Sequence, residues 1–139
     1  MRLITLLLFL LFPTVAYSEI YDYRVLRIID GDTIEIEAPF LPDPLKKVLH
    51  LRVMGVDTPE KSFRAKCEKE RILAGHATDF TTIQIRDAKV IKVEIKKWDK
   101  YGGRVLGDLI LDGDRLSKKL IDSKYAVPYY GAKKPDWCK

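Results

Sequence analysis

Cysteine, histidine, methionine and tryptophan are all scarce in this chain, at two residues each. Two distant cysteines and two scattered histidines, His50 and His76, match no zinc-ligand spacing. No internal repeat and no low-complexity tract occurs, which argues against solenoids and disordered linkers. Beyond the first residues, no stretch is apolar enough to span a membrane.

The one long apolar run stands at the start. Met1-Arg2 supplies a positive end, Leu3 to Phe12 an apolar segment short for a bilayer, and Pro13 breaks it. Ala16-Tyr17-Ser18 places small residues where a signal peptidase requires them. Residues 1–18 are therefore expected to be a signal peptide, with an uncleaved anchor as the alternative, and the mature chain to begin at Glu19. A secreted or periplasmic protein is expected. Residues 19–139 fit one domain with one core.

The formal net charge is +5, and loss of Arg2 leaves about +4. A basic surface favours polyanions without choosing among nucleic acid, anionic lipid or nothing at all. In an oxidising compartment Cys67 and Cys138 are expected to pair, with free thiols as the alternative. The closed loop of about 70 residues is worth about 4 kcal/mol in the chain-entropy model.

Period-two alternation marks the strands. Tyr21–Ile29 is rich in β-branched and aromatic residues, with Val25 and Ile29 among the core candidates. Asp30-Gly31-Asp32 reads as a tight turn into Thr33–Glu37, which makes a hairpin. Pro39, Pro42 and Pro44 force a surface loop over 38–47. Val48–Val56 forms a third strand, with Leu49, Leu51 and Val53 opposite His50, Arg52 and Met54. From about Phe63 to Asp87 the period becomes helical, and Ile72, Leu73, His76, Ala77, Phe80 and Ile83 fall on one face. Gly75 within it costs about 1 kcal/mol against alanine and suggests close packing. Strands over 89–96 and 104–111 follow, paired across the Asp99–Gly103 turn. A short helix then begins after Asp114, its predicted N-cap, with Leu116 and Leu120 inward. Five short strands, a long helix after the third and a short one after the fifth fit a mainly β, α+β architecture. A closed five-stranded Greek-key barrel of the OB type is expected. Fold alone does not name a function.

Chemistry resides in a few polar residues. Asp30 and Asp32 sit at a hairpin tip, Asp57 and Glu60 at the end of the third strand, and Arg52 on that strand. Arg104 follows Tyr101-Gly102-Gly103. Clustered carboxylates would repel a phosphate, but a hard divalent cation converts them into a binding site, and oxygen ligands favour calcium or magnesium. Two carboxylates, a carbonyl and waters would make an exposed, weak site. The loop lacks the oxygen ligand and glycine an EF-hand needs after Asp32. Phosphodiester cleavage requires an activated water, a counter-charge for the transition state and usually a metal, and these residues supply candidates for each. Singly, each has a plainer role as turn, helix cap or solvent-facing side chain. Their joint occurrence carries the case.

Ile29-Asp30-Gly31-Asp32-Thr33, then Leu51-Arg52-Val53-Met54-Gly55-Val56-Asp57-Thr58-Pro59-Glu60, then Asp99-Lys100-Tyr101-Gly102-Gly103-Arg104 resemble the staphylococcal nuclease family in order and approximate spacing. The resemblance runs from about Tyr21 to Tyr130. It implies calcium-dependent hydrolysis of DNA and RNA to products ending in 3′-phosphate. By motif it implies that Asp32 and Asp57 give carboxylate oxygens, and Thr58 its carbonyl, to Ca2+, with Asp30 acting at most through water. Glu60 becomes the candidate general base, and Arg52 and Arg104 the groups that grip the scissile phosphate. Lys100 and Tyr101 resemble residues that hold a terminal phosphate, and Tyr129 or Tyr130 could stack on a base. The chain departs from the best-known member in its Gly102-Gly103 pair, its adjacent tyrosines and its early end, where a Cys67–Cys138 bridge would replace a final helix. A monomer is expected. The readings that compete are a non-catalytic nucleic-acid-binding OB module and an exported barrel for a protein or small molecule.

Overall fold

The computed structural model describes residues 19–139, so the expected leader lies outside the described residues. The strands are β1 (Glu19–Tyr21), β2 (Val25–Asp30), β3 (Thr33–Glu37), β4 (Val48–Val53), β5 (Val56–Asp57), β6 (Ile91–Trp98), β7 (Arg104–Leu111), β8 (Asp114–Arg115) and β9 (Val127–Pro128). Helices α1 (Glu68–Asp87) and α2 (Leu116–Asp122) complete it, with a single 3-10 turn at Ser62–Arg64.

The main sheet runs β1-β6-β7-β4-β3-β2, with β8 on β7, and β5 pairs with β9 separately. Among the described strands only β4 and β7 pair in parallel; α1 and β6 form the crossover between them. This is the expected mixed α+β, OB-like architecture, with one correction: the barrel does not close by a hydrogen-bonded ladder. The expected first strand divides at Asp22–Arg24, sending β1 to β6 and β2 to β3. The two edges of the sheet are therefore consecutive in the chain. Four peptide steps from Tyr21 to Val25 keep them within about 14 Å of one another. The backbone, and no ladder, joins them.

Alternation holds well where one face meets the core. Leu49, Leu51 and Val53 are buried beside Ile34, Ile36, Val93, Val105, Leu109 and Leu111, and Leu116 and Leu120 close the core from α2 as expected. Val25 is only half-buried, as is Ile29. Asp114 is not the N-cap of α2; Arg115 holds that position without a side-chain bond. Asp108 serves the helix start from β7, accepting from the Ser117 N–H at 3.2 Å and from its hydroxyl.

Helix α1 corrects the periodicity reading. It starts later than Phe63, at Glu68, with Cys67 at the N-cap. Its buried stripe is Glu70, Ala74, Ala77, Thr81 and Ile85, while Ile72 and Ile83 are exposed and His76 faces solvent. Close approach decides this. A Cβ placed on Gly31 would lie 2.8 Å from the Ala77 Cβ, so helix and hairpin touch at van der Waals distance only because both residues are small. The Thr81 hydroxyl then reaches the Gly31 carbonyl at 2.7 Å. Gly75 marks no close packing, with nothing within 4 Å of a Cβ built there.

Candidate active site

Three segments converge at one end of the sheet. The β2–β3 hairpin presents Asp30 and Asp32, the end of β5 presents Asp57 and Thr58, and the loop before α1 presents Glu60. Asp32 is 0% and Asp57 1% exposed. The backbone fixes Asp32 first: its N–H donates to Asp30 Oδ1 at 3.2 Å, and the Thr58 N–H donates to Asp32 Oδ2 at 2.9 Å.

Between the aspartates lies Arg52. It alternates outward from the core on β4, and its guanidinium donates to Asp32 and, at 3.3 Å, to Asp57 Oδ1. Burial pushes the Asp32 carboxyl up to about 7, more than the Arg52 charge and the Thr58 N–H pull it down. For Arg52 burial also opposes the charge, but Asp32 and Asp57 outweigh it, so its pKa is raised and it stays a cation. The site is held by charges that need one another.

Glu60 is fastened from behind. Buried Glu70, in the first turn of α1, accepts from the Glu60 N–H at 3.2 Å and the Lys66 N–H at 2.7 Å. The Glu60 side chain meets Arg64 at 3.3 Å and Lys134 at 2.7 Å. Lys134 also reaches Asp57 Oδ1 at 3.2 Å, and the Trp137 indole donates to Asp57 Oδ2 at 3.3 Å. Both come from the C-terminal segment, which the Cys67–Cys138 disulfide ties to the start of α1. The expected pairing is present.

The opposite wall is the β6–β7 turn. The Asp99 N–H donates to the Arg104 carbonyl at 3.0 Å, and Arg104 Nε donates to the Asp99 carboxylate. The Arg104 guanidinium lies 4.6 Å from the Tyr101 ring centroid, and Lys100 Nζ lies 5.2 Å from it. Gly102 and Gly103 are absorbed in this turn, and Arg104 opens β7.

These walls enclose a groove of about 870 Å³. Of the residues singled out by sequence, Arg52, Glu60, Lys100, Tyr101, Arg104, Tyr129 and Tyr130 all line it. Asp32, Asp57 and Thr58 stand behind the lining as a buried layer, which corrects the expectation of an exposed cation site. Among the described residues no three His, Cys, Asp or Glu side chains gather as a metal cluster. Arg52 holds the two aspartates together instead. The donors nonetheless suit a hard divalent ion, being two carboxylates and a backbone carbonyl. Sequence reasoning missed Arg64, Glu70, Asp99, Lys134 and Trp137. For the last two a signal existed: Trp137 adjoins Cys138, and Cys67 follows Glu60 by seven residues, so the bridge had to bring the tail there.

The family of staphylococcal nuclease homologues matches residues 50–137, more than half of the chain. This chain belongs to that family. Among its relatives, endonuclease YhcR of Bacillus subtilis (strain 168) is 30% identical over 116 residues, covering 79% of this chain and 9% of that protein. Thermonuclease of Staphylococcus hyicus is 33% identical over 99 residues, covering 70% of this chain and 53% of that protein. The chain thus spans about half of one relative and a small part of the other. The matched residues contain Arg52, Asp57, Glu60 and Arg104 together with the C-terminal segment.

Proposed function

We propose that this chain is an exported, calcium-dependent nuclease, acting as a monomer, that hydrolyses DNA and RNA to products with 3′-phosphate ends. The observation that carries the reading is one groove lined by a carboxylate, Glu60, and two guanidinium groups, Arg52 and Arg104, with two buried aspartates behind it. The family membership and the names of its relatives support it. Export rests on the leader pattern of residues 1–18.

In this reading Arg52 and Arg104 bind the non-bridging oxygens of the scissile phosphate and stabilise the charge that develops there. Glu60 accepts a proton from the attacking water. Water adds to phosphorus, the bond to the 5′-oxygen breaks, and that oxygen takes a proton from solvent as it leaves, so the phosphate stays on the 3′ side. Asp32, Asp57 and the Thr58 carbonyl would hold the calcium ion. When bound, the ion supplies a further positive charge against the phosphate oxygens and offsets the two buried carboxylates. Tyr101 supports Arg104 by stacking beneath it. Lys100 binds a terminal phosphate, and Tyr129 or Tyr130 takes a base by stacking.

Digestion of plasmid and of RNA with calcium, then with chelator in excess, tests this directly. Degradation that the chelator abolishes, with 3′-phosphate end groups, is expected, and Glu60→Gln should lower turnover by about 10²-fold or more. DNA that is retarded but intact would mean a binding module. Products ending in 3′-hydroxyl would reject the proposed direction of cleavage.

A further inference from the structure

A second groove, of about 510 Å³, lies along the β1 edge of the sheet. Its walls are aromatic. Tyr21 and Tyr23 stack with ring centroids 4.6 Å apart and planes 7° from parallel, and Phe40 leans on Tyr23 at 5.7 Å. Across from them stands Trp98, 57% exposed, with Phe40 itself 48% exposed. Rings left this open are costly in water unless something covers them.

The basic residues of this groove, Lys96 and Lys97, come from β6. The register of β6 against β7 shifts between Ile95 and Lys97, opposite Gly107, where a Cβ would lie 1.8 Å from the Glu94 carbonyl oxygen. The bulge leaves Lys96, Lys97 and Trp98 exposed in succession. Lys96 has a distant acid, Glu94, at 3.9 Å, whereas among the described residues no carboxylate pairs with Lys97. One acid, Glu19, also lines the groove, and the Tyr21 hydroxyl donates to it.

Lys97 lines both this groove and the one that holds Glu60 and Arg104. The two grooves therefore share a wall at Lys97. We propose that the second groove is an extended substrate subsite, in which a single strand of nucleic acid leaving the catalytic groove stacks its bases on Trp98 and the Tyr23–Phe40 rings. Lys97 holds the phosphate at the junction and Lys96 one beyond it. Flat rings beside ammonium groups are what a sequence-tolerant single strand requires, and the wall shared with the catalytic groove names the occupant. This inference rests on the nuclease reading. It adds that long single strands bind better than short ones, for a reason located at Trp98.

Steady-state hydrolysis of a dinucleotide-sized substrate and of a single strand of about twelve nucleotides, by wild type and Trp98→Ala, tests it. The KM for the long strand should rise about fivefold or more, the loss typical of one stacked base, while kcat for that strand and the kinetics of the short substrate hold. Trp98→Tyr should restore most of the affinity, because a ring remains. Lys97→Gln should reduce the slope of log affinity against log salt for the long strand by about 0.7. Equal KM changes for both substrates, or none for either, would overturn the subsite while leaving the nuclease intact. No hydrolysis by wild type would defeat the underlying nuclease reading instead. A wild-type dimer that Trp98→Ala converts to monomer would also overturn it, since the rings would then join two copies of this chain.

Discussion

The two walls of the catalytic groove are built by different means. Arg52 stands on a central strand, its side chain 18% exposed, and its partners arrive from a hairpin twenty residues earlier and the end of β5 five residues later. Arg104, 26% exposed, pairs with Asp99, five residues back in the same turn, and lies over the ring of Tyr101 from that turn. The acidic wall is made of long-range contacts, so its geometry and the protein's stability depend on each other. The side-chain contacts of the turn wall are local, although its backbone joins the sheet where the His50 N–H donates to the Gly103 carbonyl at 3.0 Å. A side-chain change on the turn wall should therefore disturb the fold less than one on the acidic wall.

Alanine at each arginine breaks the comparison most sharply. Arg52→Ala leaves two buried carboxylates without the cation between them, and should destabilise the protein by about 3–5 kcal/mol. Arg104→Ala leaves Asp99, only 9% exposed at its side chain, with the Lys100 N–H at 2.7 Å and with water where the arginine was, and should cost about 1–3 kcal/mol, less than Arg52→Ala. Its turnover should still fall by about 10²-fold, as for loss of one preorganised charge at the phosphate. Denaturant unfolding and turnover on the same preparations check both. Equal losses of stability would mean that the two walls are equivalent.

The disulfide sharpens the contrast, because it reinforces one wall only. Its cysteines are 71 residues apart, and removing such a bridge costs about 2–4 kcal/mol. Cys67→Ser with Cys138→Ser should lower the thermal midpoint accordingly. It should also free Lys134 and Trp137 from Asp57, while the Asp99–Arg104 turn keeps its arrangement. A midpoint that reduction leaves unchanged would show that the tail does not clamp the acidic wall.

What was legible in the sequence follows the same division. The acids, both arginines and the Lys100–Tyr101 turn are readable because each lies in a short motif whose order survives in the chain. The strands are readable where one face meets the core, as at Leu49, Leu51 and Val53. At α1 periodicity holds for Ala77, which is buried, and for Phe80, which packs against the core, and fails for Ile72, His76 and Ile83, which face solvent. The buried face is set by the Gly31 contact, which needs the small Ala77 and the hydroxyl of Thr81. Closure of the barrel was overdrawn because a break at Asp22–Arg24 carries no turn signature. Glu70 was invisible, since a glutamate in a first helical turn ordinarily faces water.

The smallest effect belongs to Lys134. Burial works against its charge, yet Glu60 and Asp57 hold it as an ammonium with a raised pKa. Its side chain is nearly half exposed, so the pair stabilises by less than about 1 kcal/mol after screening. In the proposed enzyme its consequence is electrostatic. A positive charge on Asp57 and Glu60 opposes the approach of a divalent cation to the same carboxylates. Lys134→Gln should therefore lower the calcium concentration for half-maximal activity by about threefold or more. The thermal midpoint should fall by no more than a few degrees. Half-activation unchanged or raised would show that Lys134 and the cation do not share the acidic wall, and that the tail merely packs against it.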